Sequence, residues 1–407
     1  MKKKILFCAF SLVSIYTNAQ WQQTNSPNSG GINCFANTST YLFAGTDSLG
    51  TFLSTDNGDS WAVAASGLSN KTVKSMTSSG NNTFAGTLGS GTFLSSDKGA
   101  SWKSVNTGLT NSNINALMTN SSTIFAGTNA GVFTSTDQGS TWTAINKGLT
   151  TTYIASLATD GTNLYAGTYG GGMFLSTDNG GSWNAINSGL GSDSINTILI
   201  NGSNVFAGTN SSGVYMSSDN GSNWQSTSSG LTNTHVWSMV ASGSHIFAGT
   251  GGGGKHNGTG GGTGGGKGRG GIFLSNNNGL TWTPENNGLP KTDVRSLYIS
   301  GLYLIAGTAD SNVWKQPLSA LISGTPEANT ARTELHIYPN PASENLIIQF
   351  NTKSKTDIVI HNTLGKIVFR ETWLPDGSDQ HIIDASNWKK GVYFLNIDND
   401  VQKLIKD

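Results

Sequence analysis

Six side chains near the ends of predicted strands have the chemistry to bind a ligand. They are His235, Trp237, Asp293, Arg295, Asp47 and Asp310. An aromatic ring beside charged and hydrogen-bonding groups suits a sugar, because sugar rings have apolar faces and hydroxyl edges. The alternative is a surface rim with unrelated polar residues. Because no Ser-His-Asp arrangement and no metal-ligand spacing accompanies them, we assign no catalytic residue, no metal ion and no cofactor.

The composition indicates what kind of scaffold positions these residues. The chain has 407 residues, of which 54 are glycine and only 11% are charged. Its apolar residues come in short alternating runs between Ser, Thr, Asn and Gly, a pattern typical of many short strands and tight turns. We therefore predict an all-β protein. The formal net charge of zero gives no electrostatic basis for binding nucleic acid, and no apolar run is long enough for a transmembrane segment.

A repeat with a period of about 41 residues organises most of the chain. The string FAGT, or a near match, occurs seven times, ending at Thr46, Thr87, Thr128, Thr168, Thr209, Thr250 and Thr308. The last interval is longer because it contains a glycine-rich insert, residues 251–271, for which we predict a flexible loop.

Each repeat divides into four short strands, as the blades of a β-propeller do. In the second repeat the predicted strands are Val73 to Ser78, Thr83 to Gly86, Gly91 to Ser95 and Trp102 to Val105. Trp21 to Thr24 aligns with a fourth strand but has no strands before it, and the seventh repeat lacks a fourth strand. We therefore predict a seven-bladed propeller over residues 20–318, closed by the N-terminal strand.

A second string, such as STDNGGSW, lies between the third and fourth strands of each repeat. Five copies carry the aspartate, at Asp56, Asp97, Asp137, Asp178 and Asp219. The sixth has Asn277 instead, so we expect a weaker joint there. In a hairpin turn the aspartate can accept backbone hydrogen bonds, the glycine permits a positive φ, and the tryptophan covers the turn. We interpret these five aspartates as structural.

The string resembles the Asp-box, or BNR, repeat of sialidases, xyloglucanases, sortilin-like receptors and photosystem II assembly factors. In those families the boxes lie on the face opposite the binding site, which implies a site on the other face here. We exclude a sialidase, because three arginines hold its substrate and residues 20–317 contain only Arg269 and Arg295. The alternative function is a xyloglucanase-like glycoside hydrolase or lyase with a carboxylate pair on the rim. Its candidate carboxylates are Asp47, Asp193, Asp293 and Asp310.

The second position of each first strand varies in an informative way. In chain order it holds Asn33, Lys74, Asn115, Ala155, Asn196, Trp237 and Arg295. The positions on either side are mostly apolar or small, so we expect this register to line the mouth of the central channel. These residues either contact a ligand or only solvate the channel.

The C-terminal part of the chain has a different sequence pattern from the repeats. After a polar linker, residues 319–333, the alternating runs of residues 334–407 predict a small β-sandwich. Its Tyr338-Pro339-Asn340-Pro341, its Asn362 to Lys366, its Gly391-Val392-Tyr393 and its final KLIKD resemble the type A C-terminal sorting domain of the type IX (Por) secretion system. The resemblance implies that the type IX secretion machinery is a partner and that the protein is secreted or displayed on the outer-membrane surface.

The N-terminal residues predict Sec-dependent export to the periplasm as the first step. Residues 1–19 combine Lys2 to Lys4, an apolar run from Ile5 to Tyr16 and the small-residue site Thr17-Asn18-Ala19, which together are typical of a signal peptide. We therefore interpret the protein as a secreted or cell-surface binding module whose ligand is a glycan or a protein.

Overall fold

The computed structural model describes residues 20–26, 30–38, 41–252, 270–322, 336–338, 342, 344–349, 356–362, 367–373, 380–397 and 400–406. The chain divides into two compact units between residues 324 and 325, and each is described by itself. The predicted signal peptide, most of the glycine-rich insert and most of the predicted linker lie outside the described residues.

Seven four-stranded antiparallel sheets, here called blades 1 to 7, make up the first unit. The chain begins with β1 (Gln22–Gln23). Blades 1 to 3 contain β2 (Ile32–Asn37), β3 (Leu42–Thr46), β4 (Thr51–Ser54), β5 (Ala62–Val63); β6 (Val73–Ser79), β7 (Asn82–Thr87), β8 (Gly91–Ser95), β9 (Lys103–Ser104); and β10 (Ile114–Asn120), β11 (Thr123–Thr128), β12 (Gly131–Ser135), β13 (Thr143–Ala144). Blades 4 to 6 contain β14 (Ile154–Thr159), β15 (Leu164–Thr168), β16 (Met173–Ser176), β17 (Asn184–Ala185); β18 (Ile195–Asn201), β19 (Asn204–Thr209), β20 (Val214–Ser217), β21 (Gln225–Ser226); and β22 (Val236–Ser242), β23 (His245–Thr250), β24 (Gly271–Ser275), β25 (Thr283–Pro284). Blade 7 contains β26 (Val294–Ser300), β27 (Tyr303–Thr308) and β28 (Val313–Pro317), followed by the helix α1 (Leu318–Ile322).

The fourth strand of blade 7 comes from the other end of the chain. Strand β1 pairs antiparallel with β28, with Gln22 opposite Lys315. The first strands of neighbouring blades contact one another in sequence, and the circuit returns from β26 to β2. Trp21, which precedes β1, is buried. Lys315 Nζ of β28 lies 2.8 Å from Asp59 Oδ1 of blade 1. Strands from the beginning and the end of the first unit therefore meet in one sheet.

The helix α1 corrects the predicted start of the linker. The sequence placed a polar linker from residue 319, but residues 318–322 are helical. Leu321 is buried in the same apolar cluster as Trp21 and Trp314. Burial of Leu318 and Leu321 in this cluster holds the helix to the propeller, so this unit extends past its last strand.

The glycine of each FAGT string allows neighbouring blades to approach closely. A Cβ atom on Gly86 would lie 2.5 Å from Cγ2 of Ile114, the first residue of the next blade's inner strand. The same contact recurs around the ring in the pairs Gly45–Val73, Gly127–Ile154, Gly167–Ile195, Gly208–Val236, Gly249–Val294 and Gly307–Ile32. All seven β-branched partners are fully buried. Any side chain at the glycine would push the inner strands apart.

Each Asp-box is a closed hydrogen-bonded turn between the third and fourth strands. In blade 2, Asp97 Oδ1 accepts from Ser101 N at 2.9 Å and from Ser95 Oγ at 2.8 Å, while Ser95 Oγ accepts from Gly99 N. Lys98 and Gly99 both have positive φ, of 61° and 83°. Hydrogen bonds from Ser101 and Ser95 lower the pKa of Asp97 to about 2. The carboxylate is thus engaged in hydrogen bonds within the turn.

The box tryptophans do more than cover their own turns. Trp102 Nε1 donates to Ala64 O of the preceding blade at 2.8 Å. Equivalent bonds join Trp142 to Val105, Trp183 to Ile145, Trp224 to Ile186, Trp282 to Thr227 and Trp21 to Glu285. Trp61 differs, because its Nε1 donates to Gly58 O within its own turn. Most Asp-box tryptophans therefore join two neighbouring blades by a hydrogen bond.

The sixth box keeps the same bonds despite its asparagine. Asn277 Oδ1 accepts from Ser275 Oγ at 2.9 Å and from Thr281 N at 3.0 Å, and its Nδ2 donates to Thr281 Oγ1 at 2.9 Å. The amide oxygen replaces one carboxylate oxygen, and the amide nitrogen reverses the direction of the bond to the threonine. The expected weakness of this joint does not appear in its geometry.

The second unit consists of two sheets around its own core. Its strands are β29 (His336–Tyr338), β30 (Asn345–Gln349), β31 (Thr356–Asn362), β32 (Ile367–Trp373), β33 (Gln380–Asp384), β34 (Gly391–Ile397) and β35 (Asp400–Lys406). They form a sheet of order β29-β30-β33 and a sheet of order β32-β31-β34-β35. Ile348, Ile360 and Leu395 lie in the buried cluster. This is the predicted sandwich, although residues 339–341 and 363–366 of the recognised motifs lie outside the described part.

Removal of the closing strand should destabilise the ring. Deletion of residues 20–26 would expose the edge of β28 and the apolar cluster beneath Trp21, so we expect a large loss of stability. Trp21→Ala alone should cost about 3–5 kcal/mol. Gln22→Ala is the control, since this side chain is exposed, and should change stability by less than about 0.5 kcal/mol. Chemical denaturation followed by tryptophan fluorescence measures all three. An unchanged midpoint after the deletion would contradict closure by β1.

The aspartate and the tryptophan that recur in the Asp-boxes of this chain should contribute differently to stability. Trp183→Ala removes a buried ring and a bond to the preceding blade, and should cost about 3–5 kcal/mol. Asp178→Asn should cost much less, because Asn277 shows that an amide can hold the same turn. Urea unfolding of the two variants tests this order. A larger loss for Asp178→Asn than for Trp183→Ala would refute it.

Candidate functional site

One end of the propeller carries the loops that lead into each first strand and the loops between each second and third strand. We call this end the mouth face. Near it, every first strand contains a β-bulge, because its pairing with the second strand skips one residue. The skipped residues are Asn33, Lys74, Asn115, Ala155, Asn196, Trp237 and Arg295. A bulge re-aims a side chain, so this register is specialised in all seven blades.

Three of these residues form hydrogen bonds between neighbouring blades. Asn33 Nδ2 donates to Val73 O at 3.0 Å, Asn115 Nδ2 to Ile154 O at 2.9 Å, and Asn196 Nδ2 to Val236 O at 3.0 Å. Each acceptor is the first residue of the next inner strand. The asparagines at the bulge therefore have structural contacts, whereas Trp237 and Arg295 bring different chemistry to the same register.

Arg295 and Asp47 form an ion pair between blades 7 and 1. Arg295 Nη1 lies 2.5 Å from Asp47 Oδ2, and Asn33 Nδ2 donates to Asp47 Oδ1 at 2.9 Å. Burial opposes ionisation of Asp47, but the charge and hydrogen bond of Arg295, the bond from Asn33 and the charge of Lys74 hold its pKa below the ordinary value. Burial lowers the pKa of Lys74, which Asp47 counteracts. Two cations and one carboxylate thus share this part of the rim.

His235, Trp237 and Asp293 form a second group between blades 6 and 7. The ring centroids of His235 and Trp237 are 4.5 Å apart, and their planes are tilted by 52°. A Cβ atom on Gly251 would meet Trp237 Nε1 at 2.7 Å and Asp293 Cβ at 2.8 Å, so this glycine lies against both side chains. Asp293 Oδ1 accepts from Gly252 N at 2.8 Å. The start of the glycine-rich insert is therefore anchored beside the indole.

His235 is the most buried member of this group. It is 7% exposed, and Nε2 has no hydrogen-bond partner among the described residues. Burial lowers its pKa below the ordinary value of 6.5, while the Asn210 backbone and the Asp293 charge act in the opposite direction. The imidazole is therefore neutral at pH 7.

The other two candidate aspartates, Asp310 and Asp193, form hydrogen bonds within their own loops. Asp310 is exposed and accepts a hydrogen bond from Thr308 Oγ1 in its own turn. Asp193 is also exposed, and its Oδ1 accepts from Ser194 Oγ at 3.1 Å in the loop before blade 5. Of the six predicted site residues, the structure thus places five in two neighbouring groups. Within the described part of the chain, the Asp310 carboxylate is hydrogen-bonded to Thr308 and to neither group.

The sequence analysis missed an aromatic pair in blade 4. Tyr153 directly precedes β14, Tyr169 directly follows β15, and their ring centroids are 5.6 Å apart. Comparison of these two registers between repeats could have found them, since no other blade has two aromatic residues there. Elsewhere, the described residues contain no group of three or more His, Cys, Asp or Glu side chains placed to hold a metal ion.

Both parts of the chain match known domain families. Residues 336–407 match the secretion system C-terminal sorting domain, and residues 18–151 match the DUF6242 beta propeller domain. No curated protein matches the chain. The chain therefore carries a β-propeller followed by a type IX (Por) sorting domain.

Solved structures of other propellers share the fold. YCF48 bound to D1 peptide has a TM-score of 0.57 and 13% identity, over 73% of this chain and 97% of that chain. PorZ, a surface component of the type IX secretion system of Porphyromonas gingivalis, has a TM-score of 0.53 and 14% identity, over 94% and 60%. The GH74 xyloglucanase from Xanthomonas campestris has a TM-score of 0.56 and 11% identity, over 82% and 59%. At these identities the likeness shows the fold alone.

The sorting domain determines where the protein goes. It directs type IX secretion to the cell surface or the extracellular space. Within the part of the chain that the structure describes, no helix has the length and apolar character to span a bilayer.

The buried imidazole should make folding stability depend on pH. In the unfolded chain His235 titrates near 6.5, whereas in the folded protein its pKa is lower. The unfolded state therefore binds more protons below pH 6.5, and stability should fall as the pH drops from 7.5 to 5. His235→Gln should flatten this dependence, while Gln22→Ala, which changes an exposed residue that does not titrate, should not. Thermal melts over this pH range measure both slopes. Equal slopes for wild type and His235→Gln would refute the assignment.

Proposed function

We propose that the propeller is a binding module that takes a glycan or protein ligand on its mouth face after secretion. The observation that carries this proposal is Trp237. It occupies a bulge position where the other blades have Asn, Lys, Ala or Arg, so blade packing does not require an indole there. A half-buried aromatic ring at a channel mouth offers apolar contact area to a ligand.

The surroundings of Trp237 supply directional groups. Its ring packs on His235 and lies beside Gly251, which is also in contact with Asp293. On the neighbouring rim, the Arg295–Asp47 pair is about one-third exposed, with side-chain exposures of 31% and 35%. Charged groups held by each other and by Asn33 are fixed in position before a ligand arrives, which lowers the ordering cost of binding.

The location of these residues supports the same function. The mouth face lies opposite the Asp-box turns, whose carboxylates are occupied by their own hydrogen bonds. The loops on the mouth face vary between blades, while the strands beneath them repeat. Variable loops on a rigid scaffold are the usual place for a binding site.

A glycoside hydrolase or lyase is the alternative, and the geometry favours it less. A general acid needs a raised pKa, whereas the ion pair with Arg295 lowers the pKa of Asp47. The chain also spans only 59% of the length of the xyloglucanase that it resembles in fold. Release of reducing sugar that is abolished by Asp47→Asn or Asp293→Asn would favour the enzyme; retention of an unchanged glycan favours the binding module.

Trp237→Ala should separate binding from stability. Glycan and peptide arrays probed with the full chain identify a ligand, and calorimetric titration then compares wild type with the variant. We expect binding to weaken by about 1–3 kcal/mol, because the contact area of the ring is lost. We expect stability to change by only about 1 kcal/mol, since the ring is not fully buried.

Val63→Ala is the control, because Val63 is 72% exposed on the outer strand of blade 1. It should leave both binding and stability unchanged. A stability loss for Trp237→Ala as large as that for Trp183→Ala, without loss of binding, would make Trp237 a packing residue and remove the central member of the site.

A further inference from the structure

Blade 4 presents a pair of tyrosines on the mouth face, Tyr153, which is half-buried, and Tyr169, which is exposed. Tyr169 is 46% exposed, and its backbone N–H donates to Tyr153 O at 3.0 Å. The two rings are tilted by 49° and contact each other. In the other blades the position before the first strand holds Gly31, Thr72, Asn113, Ser194, His235 or Asp293. The position after the second strand holds Asp47, Leu88, Asn129, Asn210, Gly251 or Ala309. The fold therefore does not require either tyrosine.

A cleft begins at the residue that follows Tyr169. It has a volume of about 690 Å³ and lies between three loops, residues 170–172, 187–193 and 211–212. These loops belong to the mouth ends of blades 4 and 5. The cleft is widely open to solvent, and its lining is more polar than apolar.

Backbone hydrogen bonds hold the walls of the cleft in place. Gly170 N and Gly172 N both donate to Asp193 O at 2.8 Å, and Asn187 Nδ2 donates to Gly171 O at 3.0 Å. Tyr169 also forms an antiparallel bridge with Ser194. The two loops on either side of the cleft are thus joined to each other and to the segment that carries the tyrosine. A ligand would meet a preformed surface.

The lining favours a neutral ligand rich in hydroxyl groups. Of the ten lining residues, all within the described part of the chain, Leu190 is the only large apolar side chain, and none is lysine or arginine. Ser192, Ser211 and Ser212 offer hydroxyls, and the exposed Asp193 carboxylate can accept hydrogen bonds from a pair of hydroxyls. The carboxylate repels anions, and the shortage of apolar pockets disfavours a peptide, whose side chains need them.

From this arrangement we infer that the cleft between blades 4 and 5 is a binding site for a neutral oligosaccharide, with a sugar ring stacked on Tyr169. The aromatic face would cover the apolar face of the sugar, and the serine hydroxyls and Asp193 would bind its hydroxyl edge. The lining shares no residue with the Trp237 group, although Ser211 follows Asn210, whose backbone interacts with His235. The inference does not depend on that group.

The test is calorimetric titration of the full chain with neutral hexasaccharides of glucose, mannose and N-acetylglucosamine. At least one should bind, and Tyr169→Ala should weaken that binding by about 10- to 100-fold, because a stacking contact is lost. Asp193→Ala should weaken it by about 10-fold through lost hydrogen bonds. Tyr153→Phe retains the supporting ring and should bind as wild type does. Leu302→Ala, 79% exposed in the loop between β26 and β27, is the control and should have no effect.

Two results would overturn the inference. One is that none of the hexasaccharides binds, including the case in which a peptide array gives the only ligand. The other is that a bound hexasaccharide is retained in full by Tyr169→Ala. Trp237→Ala distinguishes this inference from the proposed function. If Trp237→Ala loses hexasaccharide binding and Tyr169→Ala keeps it, the proposed function is supported and the cleft is rejected. If Tyr169→Ala loses binding and Trp237→Ala keeps it, the cleft is supported and the Trp237 group has no ligand.

Discussion

The propeller depends on the close contact between one glycine and one β-branched residue at each junction of neighbouring blades. Gly86 against Ile114 is one of seven such contacts, and each β-branched partner is fully buried. Because each blade contributes half of two junctions, no blade completes its core alone. The ring must close for the last junction to form, which explains why Gly307 meets Ile32 and why the N-terminal strand joins blade 7.

The remaining repeated features follow from that contact. Box tryptophans such as Trp102 and Trp183 donate to a carbonyl of the preceding blade, and so join the outer parts of blades whose inner strands the glycines bring together. Asn33, Asn115 and Asn196 add a bond between neighbouring inner strands near the channel mouth. Each Asp-box carboxylate is used within its own turn. Side chains that could serve a ligand are therefore found where the repeat is broken, at Trp237, Arg295 and the tyrosines of blade 4.

The propeller and the sorting domain have separate roles, as expected for a protein that is delivered outside the cell. The sorting domain accounts for delivery, and it forms a sandwich with its own buried cluster. The fourth strand of each blade is only two residues long, so the propeller leaves short strand edges at its outside, which limits edge-to-edge association. The mouth loops can vary without disturbing the glycine contacts, because those contacts lie within the strands.

The sequence by itself determined the repeat, the all-β class, the Asp-box turns and the sorting domain. Local signals carry these features: Asp97, Gly99 and Trp102 make a turn through bonds within a few residues and to the neighbouring blade, and the spacing of FAGT strings counts the repeats. Only the tertiary structure decided which rim residues meet. It paired Arg295 with Asp47, placed Asp310 in its own turn, showed the helix after β28, and brought Tyr153 beside Tyr169. The Arg295–Asp47 and Tyr153–Tyr169 contacts join residues from different loops, so their partners depend on ring closure and bulge geometry, which no local pattern in the sequence encodes.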